Sequence, residues 1–151
     1  MARIETRDIT ESIANALQYI SYYHSPDFVK AMTRAYEREE SPAAKNAMAQ
    51  ILINSRLAAE GHRPICQDTG VVVVFLKIGQ SAVIDGDDSI QDAIDNGVRR
   101  AYTNADNPLR ASMVSPPIGA RKNTGDNTPA IVHTEIVPGD RIEITIAAKG
   151  G

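Results

Sequence analysis

A nearly continuous apolar run from Val71 to Ile78 constrains the fold of this chain more than any other segment. Its β-branched and aromatic side chains are typical of a β-strand that is buried on both faces. The segment before it, Arg63 to Gly70, is mostly polar and contains a proline, which is typical of a junction between elements. The sequence therefore predicts a change from helical to extended structure at this junction.

Residues before this junction carry helical periodicity. Apolar residues recur at helical spacing in a first predicted helix, at Ile9, Ile13, Leu17 and Ile20. Ser25-Pro26-Asp27 supplies an N-cap, a proline at the first helical position and an acid in the first turn, so it predicts the start of a second helix. Ser41-Pro42 repeats this signal for a third helix, and Gly61 is its predicted C-cap glycine.

Strands and one further helix are predicted after the apolar run. Ser81 to Ile84 is predicted to return as a short second strand. A fourth helix is expected from Ile90 to about Asn104, with Ser89 or Asp88 as its N-cap.

The last two predicted strands complete the expected fold. Ala130 to Val137 and Arg141 to Ala148 are predicted to form a hairpin, because Pro138-Gly139-Asp140 between them has the composition of a turn. We expect an α+β fold in which the N-terminal helices pack on a mixed β-sheet. That sheet is expected to contain strands near Val71, Ala82, Ala130 and Ile142.

Composition and charge exclude several classes of protein. The formal net charge of -3 argues against general binding of nucleic acid, which needs a surplus of Lys and Arg. No apolar run approaches the about 20 residues needed to span a bilayer, and the N-terminus lacks the apolar core of a secretion signal. A single cysteine fits a reducing compartment, so we expect a cytoplasmic protein with no nucleic-acid or membrane partner.

Cys66 is the only cysteine and is followed directly by Gln67, Asp68 and Thr69. Free cysteine is often a buried, inert side chain, but three polar neighbours favour a metal ligand or a nucleophile. A thiol nucleophile needs a histidine base, and none of the three histidines has a familiar spacing to Cys66. A zinc site would need further Cys or His ligands, which leaves a cluster ligand whose companions lie outside this chain.

The segment from Ala105 to Pro129 has little periodicity and is longer than most loops of a compact domain. Ser115-Pro116-Pro117 stiffens its middle. It is rich in hydrogen-bond donors, namely Arg110, Arg121, Lys122, Asn123, Thr124 and Asn127. Such a loop could present fixed cationic groups to an anionic ligand, although each arginine could also be an ordinary solvated side chain.

Four motifs, in chain order, resemble those of the class I fumarate hydratases, the oxygen-sensitive iron–sulfur members of the fumarase and tartrate dehydratase group. They are Pro64-Ile65-Cys66-Gln67-Asp68-Thr69-Gly70, Asn107-Pro108-Leu109-Arg110, Arg121 to Ala130, and Ala147-Ala148-Lys149-Gly150-Gly151. The likeness covers the whole chain. It implies that residues 1–151 are the N-terminal part of an iron–sulfur hydro-lyase domain. Because an apolar strand and a glycine pair end the sequence, we expect a piece of a longer chain.

The resemblance also implies roles for individual residues. Cys66 matches the first of three cysteines that hold a 4Fe-4S cluster, and Asp68 matches a residue implicated in acid–base catalysis. The residues that match substrate-binding positions are Gln67, Asp68, Arg110, Lys149 and Gly150. Thr69 and Asn123 are expected to lie close behind them.

The reaction that the resemblance implies is the reversible hydration of fumarate to L-malate. Three thiolates leave one iron of the cluster open as a Lewis acid, and Arg110 would pair with a substrate carboxylate. A homodimer is expected from the family. Tartrate dehydratase, or a related dicarboxylate hydro-lyase, is the nearest alternative, and a non-catalytic regulatory or assembly module is the other.

Overall fold

The computed structural model describes residues 3–150, which contain helices and mixed β-sheets. In chain order the elements are β1 (Arg3–Glu5), α1 (Thr6–Tyr22), α2 (Pro26–Arg38), α3 (Pro42–Gly61), β2 (Val71–Gly79), β3 (Val83–Asp85), α4 (Ile90–Tyr102), β4 (Val114–Ser115), β5 (Lys122–Asn123), β6 (Ile131–Val137) and β7 (Ile142–Lys149). The predicted α+β class is confirmed. Within the described range, no helix combines the length and apolar character that crossing a membrane requires.

The chain divides into two compact units. The sheet unit comprises the residues up to Gln18 and those from Asp68 onward, and the helical unit comprises Tyr19 to Gln67. In the helical unit α2 packs against α3. Both helices begin at the predicted prolines, each preceded by an extended serine.

The main sheet has three strands in the order β6-β2-β7. β2 pairs in parallel with β6 and antiparallel with β7, so the sheet is mixed as expected. The predicted hairpin between the last two strands is wrong, because β2 lies between β6 and β7. The backbone of β2 has two edges that can form hydrogen bonds, and β6 and β7 each pair with one of them.

The connection between β6 and β7 crosses over the end of β2 at Gly79. The backbone N–H of Gly79 donates to the carbonyl of Arg141 at 2.8 Å, and that of Ser81 donates to the carbonyl of Gly139 at 2.8 Å. A Cβ at Gly79 would lie 2.5 Å from the Gly139 oxygen, so a side chain does not fit there. The glycine therefore permits the crossing that replaces the expected hairpin.

The second predicted strand does not join this sheet. β3 instead pairs in parallel with β1, an N-terminal strand that the sequence pattern did not reveal. Both strands have three residues, which is too short for a recognisable alternation of apolar and polar side chains.

β2 is buried on one face only, so the prediction of burial on both faces is wrong. Val72, Val74 and Leu76 are buried, whereas Phe75 is 48% exposed and Lys77 is exposed. Lys77 lies in register with Glu135 and Glu143, which gives the outer face charged groups that are costly to bury.

The core of the sheet unit lies on the inner face of β2. Its fully buried apolar side chains come from β2, α1 and α4, and the largest are Ile9, Ile13, Leu17, Val72, Val74, Leu76, Ile94 and Val98. Each such side chain stabilises the fold by about 1.5–3 kcal/mol relative to exposure. The predicted apolar stripe of the first helix is therefore confirmed, except for Ile20, which is 37% exposed.

Two predicted helix caps have different outcomes. Ser89 is the N-cap of α4, as predicted, because its hydroxyl accepts a hydrogen bond from the N–H of Asp92 at 3.1 Å. Gly61 is still helical, and the left-handed residue at the end of α3 is His62, with φ 46°. The His62 ring stacks on Tyr22 and lies 3.1 Å from the Tyr23 hydroxyl, contacts that offset the strain of a non-glycine residue there.

α4 packs closely on α1 at Gly97. A Cβ at Gly97 would lie 2.7 Å from the Ile13 Cβ and 2.7 Å from the Thr10 carbonyl oxygen. The Thr10 hydroxyl also donates to the Ala93 carbonyl at 2.8 Å. This close contact holds α4 against α1 within the sheet unit.

We predict that Gly97→Ala destabilises the protein, although alanine has a higher helix propensity than glycine. Helix propensity favours the change by about 1 kcal/mol, but overpacking against backbone costs about 1–3 kcal/mol. Because the clash includes a carbonyl that cannot rotate away, we expect a net loss of about 1 kcal/mol in urea unfolding. Gly61→Ala is the matched control, since its nearest neighbour is the Arg63 Cγ at 3.5 Å. Equal stability of the two variants would contradict this account of the α1–α4 contact.

Candidate active site

Cys66 lies in the loop that follows α3, within the helical unit. The N–H of Ile65 donates to the Ser21 carbonyl at 2.8 Å, and the Asn54 side chain donates to the Ile65 carbonyl at 3.0 Å. The residue before the cysteine is thus fixed at both of its backbone polar groups. Cys66 itself is exposed, which contradicts the alternative of a buried, inert thiol.

The predicted site residues around Cys66 divide between the two units. Cys66 and Gln67 end the helical unit, and Asp68 begins the return to the sheet unit. Gln67 and Asp68 are exposed, whereas the next two residues, Thr69 and Gly70, are buried. From Gln67 to Gly70 the side chains therefore change from exposed to buried.

Asp68 contacts Gly150, which follows the last strand. A Cβ at Gly150 would lie 2.5 Å from the Asp68 Oδ2 and 2.9 Å from its Cγ. The carboxylate therefore lies directly against the Gly150 Cα, where a side chain would displace it. Two of the predicted site residues, distant in sequence, are in contact here.

Gly70 contacts the peptide bond that joins Lys149 to Gly150. Its φ is +64°, a conformation that glycine adopts without strain, and a Cβ at this position would overlap that peptide. The contact follows from the sheet register, in which Val71 pairs with Lys149. Glycine is required at position 70 for both reasons.

Thr69 joins the same segment to the loop that carries Arg110. The Thr69 hydroxyl donates to the Arg110 carbonyl, and the Thr69 carbonyl accepts a hydrogen bond from the Tyr102 hydroxyl at 2.9 Å. Arg110 is exposed, so its guanidinium is accessible to a ligand. Three consecutive residues, 68, 69 and 70, thus contact the segments that carry the predicted cations.

Tyr102 is buried at the end of α4, and its hydroxyl remains a donor at neutral pH. Burial raises the pKa of its phenol above the ordinary value, and the negative charge of Asp68 raises it further. Hydrogen bonds to Thr69 and Asn127 oppose part of that rise. The sequence pattern identified Tyr102 only as a helix position, because burial beside a distant loop cannot be deduced from periodicity.

The loop between α4 and β6 is more ordered than its sequence suggested. β4 and β5 pair antiparallel within it, and Asn123 donates to the Ala111 carbonyl at 2.8 Å. Asn127 is completely buried and hydrogen-bonds to Gly70. In the sequence Asn127 is one hydrogen-bond donor among several, and no local signal distinguishes it.

A cleft of about 250 Å³ lies at this junction within the sheet unit. Its lining includes Gly70, Ser112, Lys149 and Gly150, together with Val71, Val73 and Ile131. Two predicted substrate-binding residues, Lys149 and Gly150, therefore line a concave surface. A four-carbon acid is small enough for a cleft of this size.

The residues of this chain do not by themselves fit a 4Fe-4S cluster. Such a cluster needs several thiolates, and the chain contains one cysteine. In the part of the chain that the structure describes, no group of three or more His, Cys, Asp or Glu side chains is arranged to hold a metal ion. Cys66 can supply one ligand at most.

Comparison with known proteins agrees with the sequence resemblance. The family described as fumarate hydratase (Fumerase) matches residues 10–151. A candidate L(+)-tartrate dehydratase subunit alpha from Methanocaldococcus jannaschii is 34% identical over 125 residues, which are 82% of this chain and 43% of that subunit. The L(+)-tartrate dehydratase subunit alpha of Escherichia coli K12 is 30% identical over 145 residues, 95% of this chain and 46% of that subunit.

A fumarate hydratase is among the relatives as well. The anaerobic class I fumarate hydratase of Escherichia coli K12 is 30% identical over 150 residues, 99% of this chain and 27% of that enzyme. The chain therefore spans less than half the length of each of these relatives. Because the family match covers nearly all of the sequence, the chain belongs to the fumarate hydratase (Fumerase) family.

Proposed function

We propose that this chain is part of a hydro-lyase that adds water reversibly to fumarate to form L-malate. Membership of the family supports the reaction class. The observation that carries the proposal is the set of contacts made by residues 68–70, which join an acid to the segments of Arg110 and Lys149. Of these segments, Gly70, Lys149 and Gly150 line the cleft. Cations for two carboxylates and an acid for proton transfer are the groups that this reaction needs.

Arg110 and Lys149 are proposed to bind the substrate carboxylates. Arginine pairs with a carboxylate through two parallel hydrogen bonds and stays charged at any relevant pH. Lysine supplies a compact charge, and Lys149 lines the cleft. Negative charge that develops on the substrate beside the reacting carbon would be stabilised by the same cations.

Asp68 is proposed to hold or move a proton at its carboxylate during hydration. Its carboxylate lies against Gly150, which lines the cleft, and a general acid or base must be held within hydrogen-bond reach of the reacting group. Gln67 is proposed to bind the substrate through its side-chain amide.

Cys66 is proposed to supply one thiolate to an iron–sulfur cluster. The remaining ligands would come from polypeptide outside residues 1–151, as would further catalytic groups. Pairing of two copies stays a prediction from the family resemblance, and a cytoplasmic location stays a prediction from the single cysteine and the N-terminal sequence.

L-Tartrate is the second candidate substrate, because two of the relatives described above are named for tartrate dehydratase. Both substrates are four-carbon dicarboxylates, so the same cations would bind either of them. Product analysis of the complete protein that carries this chain, supplied separately with fumarate and L-tartrate, decides between them. No turnover of either substrate would favour the non-catalytic module instead.

Arg110→Ala is expected to raise KM strongly and to lower kcat in the complete enzyme. Loss of a bidentate charged contact should reduce kcat/KM by the equivalent of about 2–4 kcal/mol. Arg100→Ala is the matched control, because Arg100 lies on the exposed surface of α4, 3.9 Å from Glu11, and such pairs contribute little. Unchanged steady-state kinetics in Arg110→Ala would end the assignment of Arg110 to a substrate carboxylate.

Gly150→Ala is expected to impair proton transfer by displacing the Asp68 carboxylate. The added Cβ would lie 2.5 Å from Oδ2, so we expect kcat to fall about tenfold or more, as it should in Asp68→Asn. Gly61→Ala, where the new methyl group meets only a flexible side chain, should leave kcat unchanged. A fully active Gly150→Ala enzyme would show that the Asp68–Gly150 contact is irrelevant to turnover.

Residues 1–151 alone are expected to hold no intact 4Fe-4S cluster, because they supply a single thiolate. Anaerobic reconstitution with iron and sulfide, followed by gel filtration and absorption spectroscopy, checks this. Recovery of a stable brown species at cluster stoichiometry would mean that the ligand set has been misassigned.

A further inference from the structure

Asn127 is completely buried and forms three hydrogen bonds to backbone groups, besides the one to the Tyr102 hydroxyl. Its side-chain oxygen accepts from the N–H of Ser112 at 2.9 Å and from the N–H of Met113 at 3.0 Å. Its side-chain nitrogen donates to the carbonyl of Gly70 at 2.7 Å. The exposed fraction of Asn127 is 0%. One amide thus satisfies backbone groups from two segments that are far apart in sequence.

These two segments carry the proposed substrate-binding groups. Gly70 packs on the Lys149–Gly150 peptide, and Ser112 follows Arg110 by two residues and lines the same cleft. Thr69 joins the segments at one point, through the Arg110 carbonyl. Asn127 joins them at a second point, and a second connection restricts the movement of one segment relative to the other.

An asparagine side chain meets every requirement at this position. The residue must accept two hydrogen bonds and donate a third, which a carboxylate or an aliphatic side chain cannot do. Its φ is +62°, a left-handed conformation that asparagine tolerates better than most residues. Burial makes each missing hydrogen bond costly, because water cannot replace it.

We propose that Asn127 is a positioning residue that sets the placement of Arg110 relative to Asp68, Lys149 and Gly150. The inference rests on the proposed function, because it concerns the geometry of that same site. A dicarboxylate of fixed length is bound by both ends only when the cations are correctly spaced. A small displacement of the Arg110 segment therefore weakens substrate binding before it affects the fold.

Two variants of Asn127 test this in the complete enzyme. Asn127→Asp keeps the acceptors for Ser112 and Met113 but places an oxygen against the Gly70 carbonyl. Asn127→Gly keeps the left-handed backbone and removes every hydrogen bond of the side chain, including the one to Tyr102. We expect KM for the dicarboxylate to rise about tenfold or more in both, with a smaller change in kcat.

Asn96→Ala is the matched control, because Asn96 of α4 hydrogen-bonds to Arg99 and to Asp88, which precedes the helix, and to neither of the two segments. Its KM should equal that of the wild type. If the Asn127 variants lose thermal stability but keep the wild-type KM, Asn127 has only a structural role and the proposal is overturned.

Hydrogen exchange separates failure of this inference from failure of the proposed function. In Asn127→Gly, the amides of Ser112 and Met113 should exchange faster than in the wild type and in Asn96→Ala. Protection that is unchanged there would overturn the positioning role whatever the activity. A wild-type protein without hydro-lyase activity on fumarate or L-tartrate would instead overturn the proposed function, and the link between the two segments would still be decided by exchange.

Discussion

The close approach of Gly70 to the peptide between Lys149 and Gly150 is the contact on which the candidate site depends. It exists because β2 and β7 pair antiparallel, so that the start of one strand meets the end of the other. The segment entering β2 must therefore pass against the segment leaving β7. A side chain at position 70 would push these two segments apart. It would also move the Asp68 carboxylate away from Gly150, which lines the cleft.

Burial of this junction removes backbone carbonyls from water, so they need hydrogen-bond donors from the protein. The carbonyls of Thr69 and Gly70 are satisfied by Tyr102 and Asn127, which come from the end of α4 and from the long loop after it. Unsatisfied groups there would each cost about 1–3 kcal/mol. That loop returns from α4 to the junction, where Asn127 contacts Gly70, before β6 begins. Order in the loop and placement of Arg110 thus have the same physical origin.

Sequence reasoning predicted the elements better than their arrangement. The starts of α2, α3 and α4 follow from local cap and proline signals, which depend on a few neighbouring residues. The pairing of β6 and β7 was mispredicted, because the short connection between them favours a hairpin. The apolar strand β2, earlier in the chain, is the better partner for both. Strand pairing depends on which apolar surfaces are available in three dimensions, and local composition does not record that.

The site shows the same division between sequence and structure. The sequence by itself determined the chemical groups: one thiol, an adjacent acid, and an arginine and a lysine in motifs that resemble one family. Tertiary structure alone decided which of them meet, namely that Asp68 lies against Gly150 and that Thr69 holds the Arg110 loop. It also decided that Asn127 and Tyr102 support them. The physical reason is that the chemical groups of a motif belong to residues that are close together in sequence. Burial and hydrogen bonding between distant segments arise only when the sheet register brings those segments together.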